Sequence, residues 1–347
     1  MKRQMRYRKE MYGVMTCVFL LWGCTGNYDT MLTDSGNDVE EVQDVAMNAD
    51  VAEEGVWEAV TPQSTTAVSS QEEADGQDTE SIFQETVTEP EVIEADWSGY
   101  FDGFNGAAVL YDVSTSRYLL YNPELADTRR SPCSTFKIIS SMLALENGII
   151  DPEDSTHTWS GEVFWNESWN QDIAFPEAFR ASCVWYFREV IDEIGPETVQ
   201  AGLDELAYGN CDISDWEGRM NTNNNNRALT GFWVESSLAI SPKEQTEVME
   251  RIFGKDSVCS EETRKVLKQV MLVTEPEETI VPMYGKTGMG KAEGVVVDAW
   301  FTGFAECAQG NVYFCVYLGQ TDAGNVSSAA AREIAIRIVE DYCQVFQ

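Results

Sequence analysis

A serine and a lysine lie three residues apart in the segment SPCSTFKIISSMLALENG, which spans residues 131–148. Residues three apart share one face of a helix, so a helix starting here would place the Ser134 hydroxyl beside the Lys137 amine. The rest of that face is apolar, and burial there would lower the pKa of the lysine by disfavouring its charged form. The pair therefore predicts a general base next to a nucleophile, with free N–H groups at the helix start to stabilise an oxyanion.

Each of these residues also has an ordinary structural interpretation. Serine is a favoured N-cap, and a lysine on an apolar face can extend its amine into solvent. The neighbouring Cys133 is a rival nucleophile, but the lysine lies three residues after the serine and not after the cysteine. The spacing therefore favours Ser134.

Composition excludes several classes of function. The net charge of -36 over 347 residues opposes binding to nucleic acid or to anionic lipid. The single histidine, His157, excludes multi-histidine metal sites, and its polar surroundings predict a surface position. Seven cysteines follow residue 97, and their spacings are unlike those of a cysteine-ligated metal site. We therefore predict no metal and no cofactor. The odd number of cysteines leaves at least one unpaired; the pairing stays open, with Cys133–Cys183 as one possibility.

The N-terminus has the layout of an export signal. Five basic residues within residues 1–10 precede the apolar run MYGVMTCVFLLWG, which is too short to span a bilayer. The run ends at Cys24, in a context that resembles a bacterial lipoprotein signal, although Trp22 departs from the small residue usual there. We predict a signal peptide over residues 1–23, a lipidated Cys24 and attachment to the outer face of the cell envelope. An uncleaved signal anchor is the alternative.

An acidic segment separates this signal from the rest of the chain. Residues 25–95 contain 19 Asp and Glu, no Lys or Arg, and no persistent hydrophobic periodicity. Such a composition predicts a self-repelling, disordered chain. We therefore assign residues 24–96 to a tether and residues 97–347 to one folded domain.

The elements that must position Ser134 and Lys137 alternate between strand and helix patterns. The strand patterns cover residues 106–111, 117–121, 295–306 and 311–319, the last two joined by a turn at Gly310–Asn311, and a further strand is predicted at Lys286–Gly288. The helix patterns cover residues 134–146, 179–194, 244–252 and 327–342. This order predicts an α+β fold: an antiparallel sheet closed by the N- and C-terminal strands, flanked by helices, with an inserted helical subdomain.

Four short motifs follow one another along the predicted domain. They are S-x-x-K at Ser134, S-x-V at Ser182, Y-G-N at Tyr208 and K-T-G at Lys286. In this order they resemble the class D, oxacillinase-type, serine β-lactamases of the penicillin-binding transpeptidase superfamily, whereas class A enzymes have S-D-N in second place. The resemblance extends over essentially all of residues 97–347.

The resemblance implies a role for each matching residue. Ser134 would form an acyl-enzyme, Lys137 would be the general base after reaction with CO₂ to a carbamate, and Ser182 would relay a proton to the leaving nitrogen. The residues implied to bind substrate are Lys286, Thr287, Met289 and Arg332. The residues implied to shape the pocket or support the carbamate are Phe136, Val184, Tyr208 and Trp233.

Some of these roles are specific and have structural alternatives. The N–H groups of Met289 and Ser134 would form the oxyanion hole, and Arg332 would bind the substrate carboxylate together with Thr287. The Trp233 indole N–H would hold the carbamate. The alternatives are core packing for Trp233, a helix-surface hydroxyl for Ser182, an exposed edge strand for Lys286 and a solvated helix position for Arg332.

The motifs together predict an exported, lipid-anchored enzyme that hydrolyses β-lactams, with β-lactam small molecules and the membrane as its partners and no nucleic acid. A β-lactam sensor or penicillin-binding peptidase, which is acylated but deacylates slowly, is the alternative. Sensors of this architecture usually belong to multi-span membrane proteins, and the single short apolar segment disfavours that role. A non-catalytic binding protein at the cell surface is a third hypothesis. The joint presence of S-x-x-K and K-T-G opposes it.

Overall fold

The computed structural model describes residues 89–222, 225–273, 281–321 and 326–345. The predicted signal peptide, Cys24 and the tether as far as residue 88 lie outside the described residues. Within the described ranges, no helix combines the length and the hydropathy that crossing a bilayer would require.

The strands of the described chain form one sheet. They are β1 (Glu91–Glu94), β2 (Gly106–Asp112), β3 (Arg117–Tyr121), β4 (Met283–Ala292), β5 (Val295–Cys307) and β6 (Gly310–Gly319). Their order across the sheet is β1-β3-β2-β6-β5-β4, and every pair except β1–β3 is antiparallel. Strands from the two ends of the domain therefore pair at the centre, where β2 meets β6, which confirms the predicted closure.

β1 is the strand that the sequence did not predict. It lies inside residues 24–96, so the last part of the predicted tether belongs to the sheet, and it runs parallel to β3 with Glu91 opposite Arg117. The sheet is therefore mixed rather than wholly antiparallel. All four side chains of β1 are exposed, so no alternation of apolar and polar residues marks it.

Helices cover both faces of the sheet. The α-helices of the described residues are α1 (Ser98–Phe101), α2 (Pro123–Ala126), α3 (Lys137–Glu146), α4 (Phe175–Arg180), α5 (Val184–Ile194), α6 (Pro196–Leu206), α7 (Pro242–Phe253), α8 (Glu261–Met271) and α9 (Ser328–Val345). One apolar core lies between the sheet and α1 and α9. A larger core joins α3, α5, α6, α7 and α8 to the other face of the sheet. The α+β class with its helical subdomain is thus confirmed.

Two helix predictions need correction, and both concern the motif serines. The predicted helix over residues 179–194 is two helices, α4 and α5, with Ser182 between them in a left-handed conformation at φ 56°. The predicted helix over residues 134–146 begins as a 3-10 helix, Cys133–Phe136, in which Ser134 makes no capping hydrogen bond. The helix-surface interpretation of Ser182 and the N-cap interpretation of Ser134 are therefore both wrong.

One disulfide joins the sheet to the last helix. Cys307, at the end of β5, is bonded to Cys343 on α9, with 5.7 Å between the Cα atoms. Cys133 and Cys183 are both buried free thiols, so the pairing considered from the sequence does not occur.

Candidate active site

Ser134 and Lys137 meet where the 3-10 helix continues into α3. The Lys137 Nζ donates a hydrogen bond to the Ser134 Oγ over 3.1 Å. The lysine side chain is 1% exposed, so it does not extend into solvent. The i, i+3 spacing therefore produces the base and nucleophile contact that the sequence predicts.

The lysine lies in apolar surroundings and has no counter-ion. Its Nζ is 5.3 Å from the centre of the Phe187 ring, and within the described chain it forms no ion pair. Burial lowers the pKa of Lys137 to about 8. At that pKa roughly one amine in ten is neutral at pH 7, several hundred times the fraction of a solvated lysine. A base is thus available without a carboxylate beside it.

The second serine is paired with the second lysine. The Lys286 Nζ donates to the Ser182 Oγ over 3.0 Å and to the Thr287 backbone oxygen over 3.1 Å. Burial, followed by repulsion from Lys137, holds the pKa of Lys286 well below its usual range. Because the Ser182 oxygen accepts from the lysine, the proton of Ser182 remains available to a group in the cleft.

A cleft of about 440 Å³ brings five of the predicted residues together. Ser134, Ser182, Val184, Thr287 and Met289 all line it, together with Trp165 and Trp169. A neighbouring cavity of about 450 Å³ is lined by Lys286, Thr287 and Arg332. Thr287 lines both cavities, whereas Arg332 lines the second.

Two glycines allow β4 to approach the nucleophile segment closely. A Cβ on Gly288 would lie 2.9 Å from the Thr135 side chain and 3.0 Å from the Pro132 backbone oxygen. A Cβ on Gly290 would lie 3.1 Å from the Cys133 Sγ. The glycine of K-T-G is therefore required by packing, because β4 is the edge strand that faces Ser134.

The Y-G-N motif fixes a loop rather than reacting. Gly209 has φ 55°, and a Cβ there would lie 2.1 Å from the Ala239 backbone oxygen. The Asn210 side chain accepts from the Ala239 N–H over 2.9 Å and donates to the Ser237 backbone oxygen over 2.8 Å. This loop continues to Ile240, which forms a β-bridge with Arg130, just before the nucleophile. Y-G-N thus anchors the entry to S-x-x-K.

The three aromatic residues implied to shape the pocket, Phe136, Tyr208 and Trp233, are part of the core. Phe136 contacts Tyr208 edge-on at 5.6 Å and stacks with Trp233 at 6.0 Å between ring centres. All three are at most 1% exposed. These contacts agree with the core-packing interpretation of Trp233.

The rival candidates lack the required properties. Burial and neighbouring carboxylates raise the pKa of the Cys133 thiol to about 12, so at neutral pH it is not the thiolate that nucleophilic attack requires. His157 is half-buried against Tyr186 and contacts Glu189, and it does not line the cleft. Among the described residues, no cluster of His, Cys, Asp or Glu could hold a metal ion.

The sequence reasoning missed four residues at the site. Phe187 and Phe179 lie near the amines of Lys137 and Lys286, the second at 5.7 Å. Their only sequence signal is their position within the apolar residues around S-x-V. Glu235 lines the cleft and Ser131 contacts its backbone, and neither residue had a spacing that marked it.

Comparison with known proteins finds similarity to one domain family and to several of its members. The penicillin binding protein transpeptidase domain model matches residues 106–340. Regulatory protein BlaR1 of Bacillus licheniformis is 31% identical over 247 residues, which are 71% of this chain but only 38% of that protein. Beta-lactamase OXA-1 of Escherichia coli is 31% identical over 247 residues, 70% of this chain and 86% of that protein. The solved C-terminal domain of the Bacillus licheniformis BlaR penicillin-receptor matches with a TM-score of 0.62 at 29% identity, over 74% of this chain and 98% of that domain.

Proposed function

The chain belongs to the penicillin-binding protein transpeptidase-domain family, and on that premise we propose that β-lactams acylate Ser134 and are then hydrolysed. The similarity to a β-lactamase over 86% of its length supports this proposal. The observation that carries it is the contact of 3.1 Å between the Ser134 hydroxyl and a buried amine whose pKa is about 8.

The two serine–lysine pairs support the proposed acylation. Lys137 takes the proton of the Ser134 hydroxyl while its oxygen attacks the lactam carbonyl carbon. The N–H groups of Ser134 and Met289 are proposed to bind the resulting oxyanion. The C–N bond then breaks, the ring nitrogen takes the proton of the Ser182 hydroxyl, and a proton from Lys286 replaces it. Thr287 and Arg332 would bind the substrate carboxylate.

Hydrolysis requires a base that remains after acylation. Only a neutral amine combines with CO₂, and the lowered pKa of Lys137 supplies that form. After acylation Lys137 would lose to solvent the proton taken from Ser134, and its neutral amine would combine with CO₂ and release a further proton. The resulting carbamate would provide a carboxylate-like base for the water that releases the acyl group. Phe136, Val184 and Trp233 are proposed to enclose it; Val184 lines the cleft and Phe136 stacks with Trp233.

A sensor that remains acylated is the second candidate. The similarity to the BlaR penicillin-receptor domain, over 98% of that domain, favours it. The two candidates share the acylation step and differ only in the rate at which water hydrolyses the ester at Ser134. Lipidation of Cys24 and attachment at the outer face of the envelope are also proposed from the sequence; a Cys24→Ser protein would then leave the membrane fraction.

The experiment is a turnover measurement on the full chain with a chromogenic cephalosporin, with and without bicarbonate. We expect multiple turnovers that accelerate when bicarbonate is added. A burst of one equivalent with no further turnover would instead support the sensor. Turnover that is indifferent to bicarbonate would contradict the carbamate, and absence of any acylation would contradict the proposed function.

A further inference from the structure

One carboxylate that the catalytic scheme does not use connects the two halves of the oxyanion hole. We propose that Glu235 is a positioning residue that holds the nucleophile segment and the end of β4 in register. This inference rests on the proposed function, because it assigns Glu235 to the acylation step at Ser134.

The connection consists of consecutive hydrogen bonds. The Glu235 Oε1 accepts from the backbone N–H of Lys291, two residues after Met289. The Glu235 backbone N–H donates to the Ser131 Oγ over 2.8 Å, three residues before Ser134. The Ser131 hydroxyl in turn donates to the Trp233 backbone oxygen over 3.0 Å. One residue thus contacts the segments on both sides of the cleft.

The β4 strand needs such an anchor at this point. Its pairing with β5 shifts register between Gly290 and Lys291, so the ladder is disrupted just after Met289. The surrounding sequence, Gly288-Met289-Gly290, permits close approach to the nucleophile segment but provides little side-chain packing to fix it. A donor must lie within a few tenths of an ångström of its place to stabilise an oxyanion, so an uncontrolled strand end would weaken catalysis.

The position of Glu235 is unfavourable for folding, which points to a functional reason for it. Its backbone is in the left-handed region at φ 51°, a conformation that a glutamate rarely adopts. Burial and the nearby Asp298 raise the pKa of its carboxyl group, so holding the charged form there destabilises the folded protein. A strained, desolvated carboxylate that lines the cleft is expected where geometry at the site matters more than stability.

The test measures acylation of the full chain by a fluorescent penicillin. Glu235→Ala removes the acceptor for Lys291 but keeps the backbone contact with Ser131. We expect the acylation rate constant to fall about 10- to 100-fold, while the dissociation constant of the non-covalent complex changes less than about threefold. Glu235→Gln keeps a neutral acceptor and is expected to restore the rate to within about threefold of the parent protein.

Glu293→Ala is the matched control. Glu293 is also a glutamate with positive φ, 49°, two residues beyond Lys291, but it is exposed. The Glu293→Ala protein should be acylated at the rate of the parent protein. The Ser131→Ala change should slow acylation as well. The double variant should lose less of the acylation rate constant than the product of the two single fold-losses, because both changes break the same connection.

Two results would overturn the positioning role. One is a Glu235→Ala protein that is acylated at the parent rate. The other is a Glu235→Gln protein whose acylation rate constant falls as far as that of Glu235→Ala, although glutamine retains the acceptor. If the parent protein itself is not acylated, that result contradicts the proposed function and not the positioning role of Glu235. The melting temperature of each variant distinguishes a rate effect from unfolding.

Discussion

Two regions of the helical subdomain bury positive charge in opposite ways. Lys137 is 1% exposed and has a hydroxyl and the Phe187 ring as its neighbours. Arg188, also 1% exposed, is paired with the Asp192 carboxylate and lies near the rings of Trp216 and Trp233 at 5.3 and 5.4 Å. Consecutive residues of α5 therefore belong to the two regions, Phe187 beside the Lys137 amine and Arg188 in the ion pair.

The difference lies in the counter-ion and not in the depth of burial. Hydrogen bonds from Arg227 and Arg188 overcome the effect of burial and lower the pKa of Asp192 to about 2, so that group of charges is fixed at any physiological pH. No carboxylate of the described residues is paired with Lys137, so burial outweighs the opposing influence of the Cys183 and Cys133 thiols and the pKa of the amine falls. The ion pair stabilises a fixed charge, whereas the site keeps an amine that can lose its proton. Three substitutions, in order of decreasing effect on acylation, test this comparison.

Lys137→Met should have the largest effect. It removes the base, and we expect acylation to fall more than about a thousandfold. The charged amine destabilises the folded protein fully below pH 8, and this penalty fades as the pH rises towards 10.5. The variant should therefore be more stable than the parent by about 1–3 kcal/mol at pH 7 and by less at pH 10. Denaturant titrations at both pH values check this; a variant less stable than the parent at pH 7 would contradict it.

Phe187→Glu should give the catalytic amine the counter-ion that it lacks. A carboxylate near the Lys137 Nζ favours the protonated amine, so the pH at which acylation is half-maximal should rise by about one unit or more. At pH 7 the rate should fall about tenfold below that of Phe187→Gln, which creates the same cavity without the charge. Stopped-flow acylation across pH 6 to 9 measures both. Identical pH profiles for the two variants would show that the missing counter-ion does not matter.

Arg188→Met should have the smallest effect on acylation and a clear effect on stability. It removes the buried cation while Asp192 stays paired with Arg227 over 2.6 Å. We expect a loss of about 2–3 kcal/mol in the free energy of unfolding, because Arg188 also donates to the Trp216 backbone oxygen. Arg227→Gln, at a half-exposed residue, should lose less than about 1 kcal/mol. Acylation should stay within about threefold; a larger loss would mean that the ion pair also shapes the catalytic pocket.

The sequence was most informative where chemistry depends on local spacing. Ser134 and Lys137 are three residues apart, so the helical repeat alone brings them together. The strands β2, β5 and β6 carry strong apolar patterns and were predicted with nearly their observed bounds. The contact between Ser182 and Lys286 could be expected only from the motif resemblance, since 104 residues separate them.

The sequence was least informative where a backbone conformation interrupts a pattern. The apolar residues from Phe179 to Ile194 continue through the turn at Ser182, so periodicity predicted one helix instead of two. The positive φ of Ser182 and Glu235 also contradicts what those residue types prefer. Such positions are set by tertiary contacts, which is why Glu235 and Phe187 were missed.

The exposed strand β1 has a practical consequence for anyone producing the protein. A protein shortened to begin at residue 97, the boundary that composition suggests, would lose the strand that covers β3. The backbone of Arg117–Tyr121 would then be an open edge, available to pair with another molecule, and soluble yield would suffer from aggregation. A shortened protein that keeps residue 89 onward would retain β1 as its edge, and this four-residue strand with two glutamates is a poor partner for another molecule.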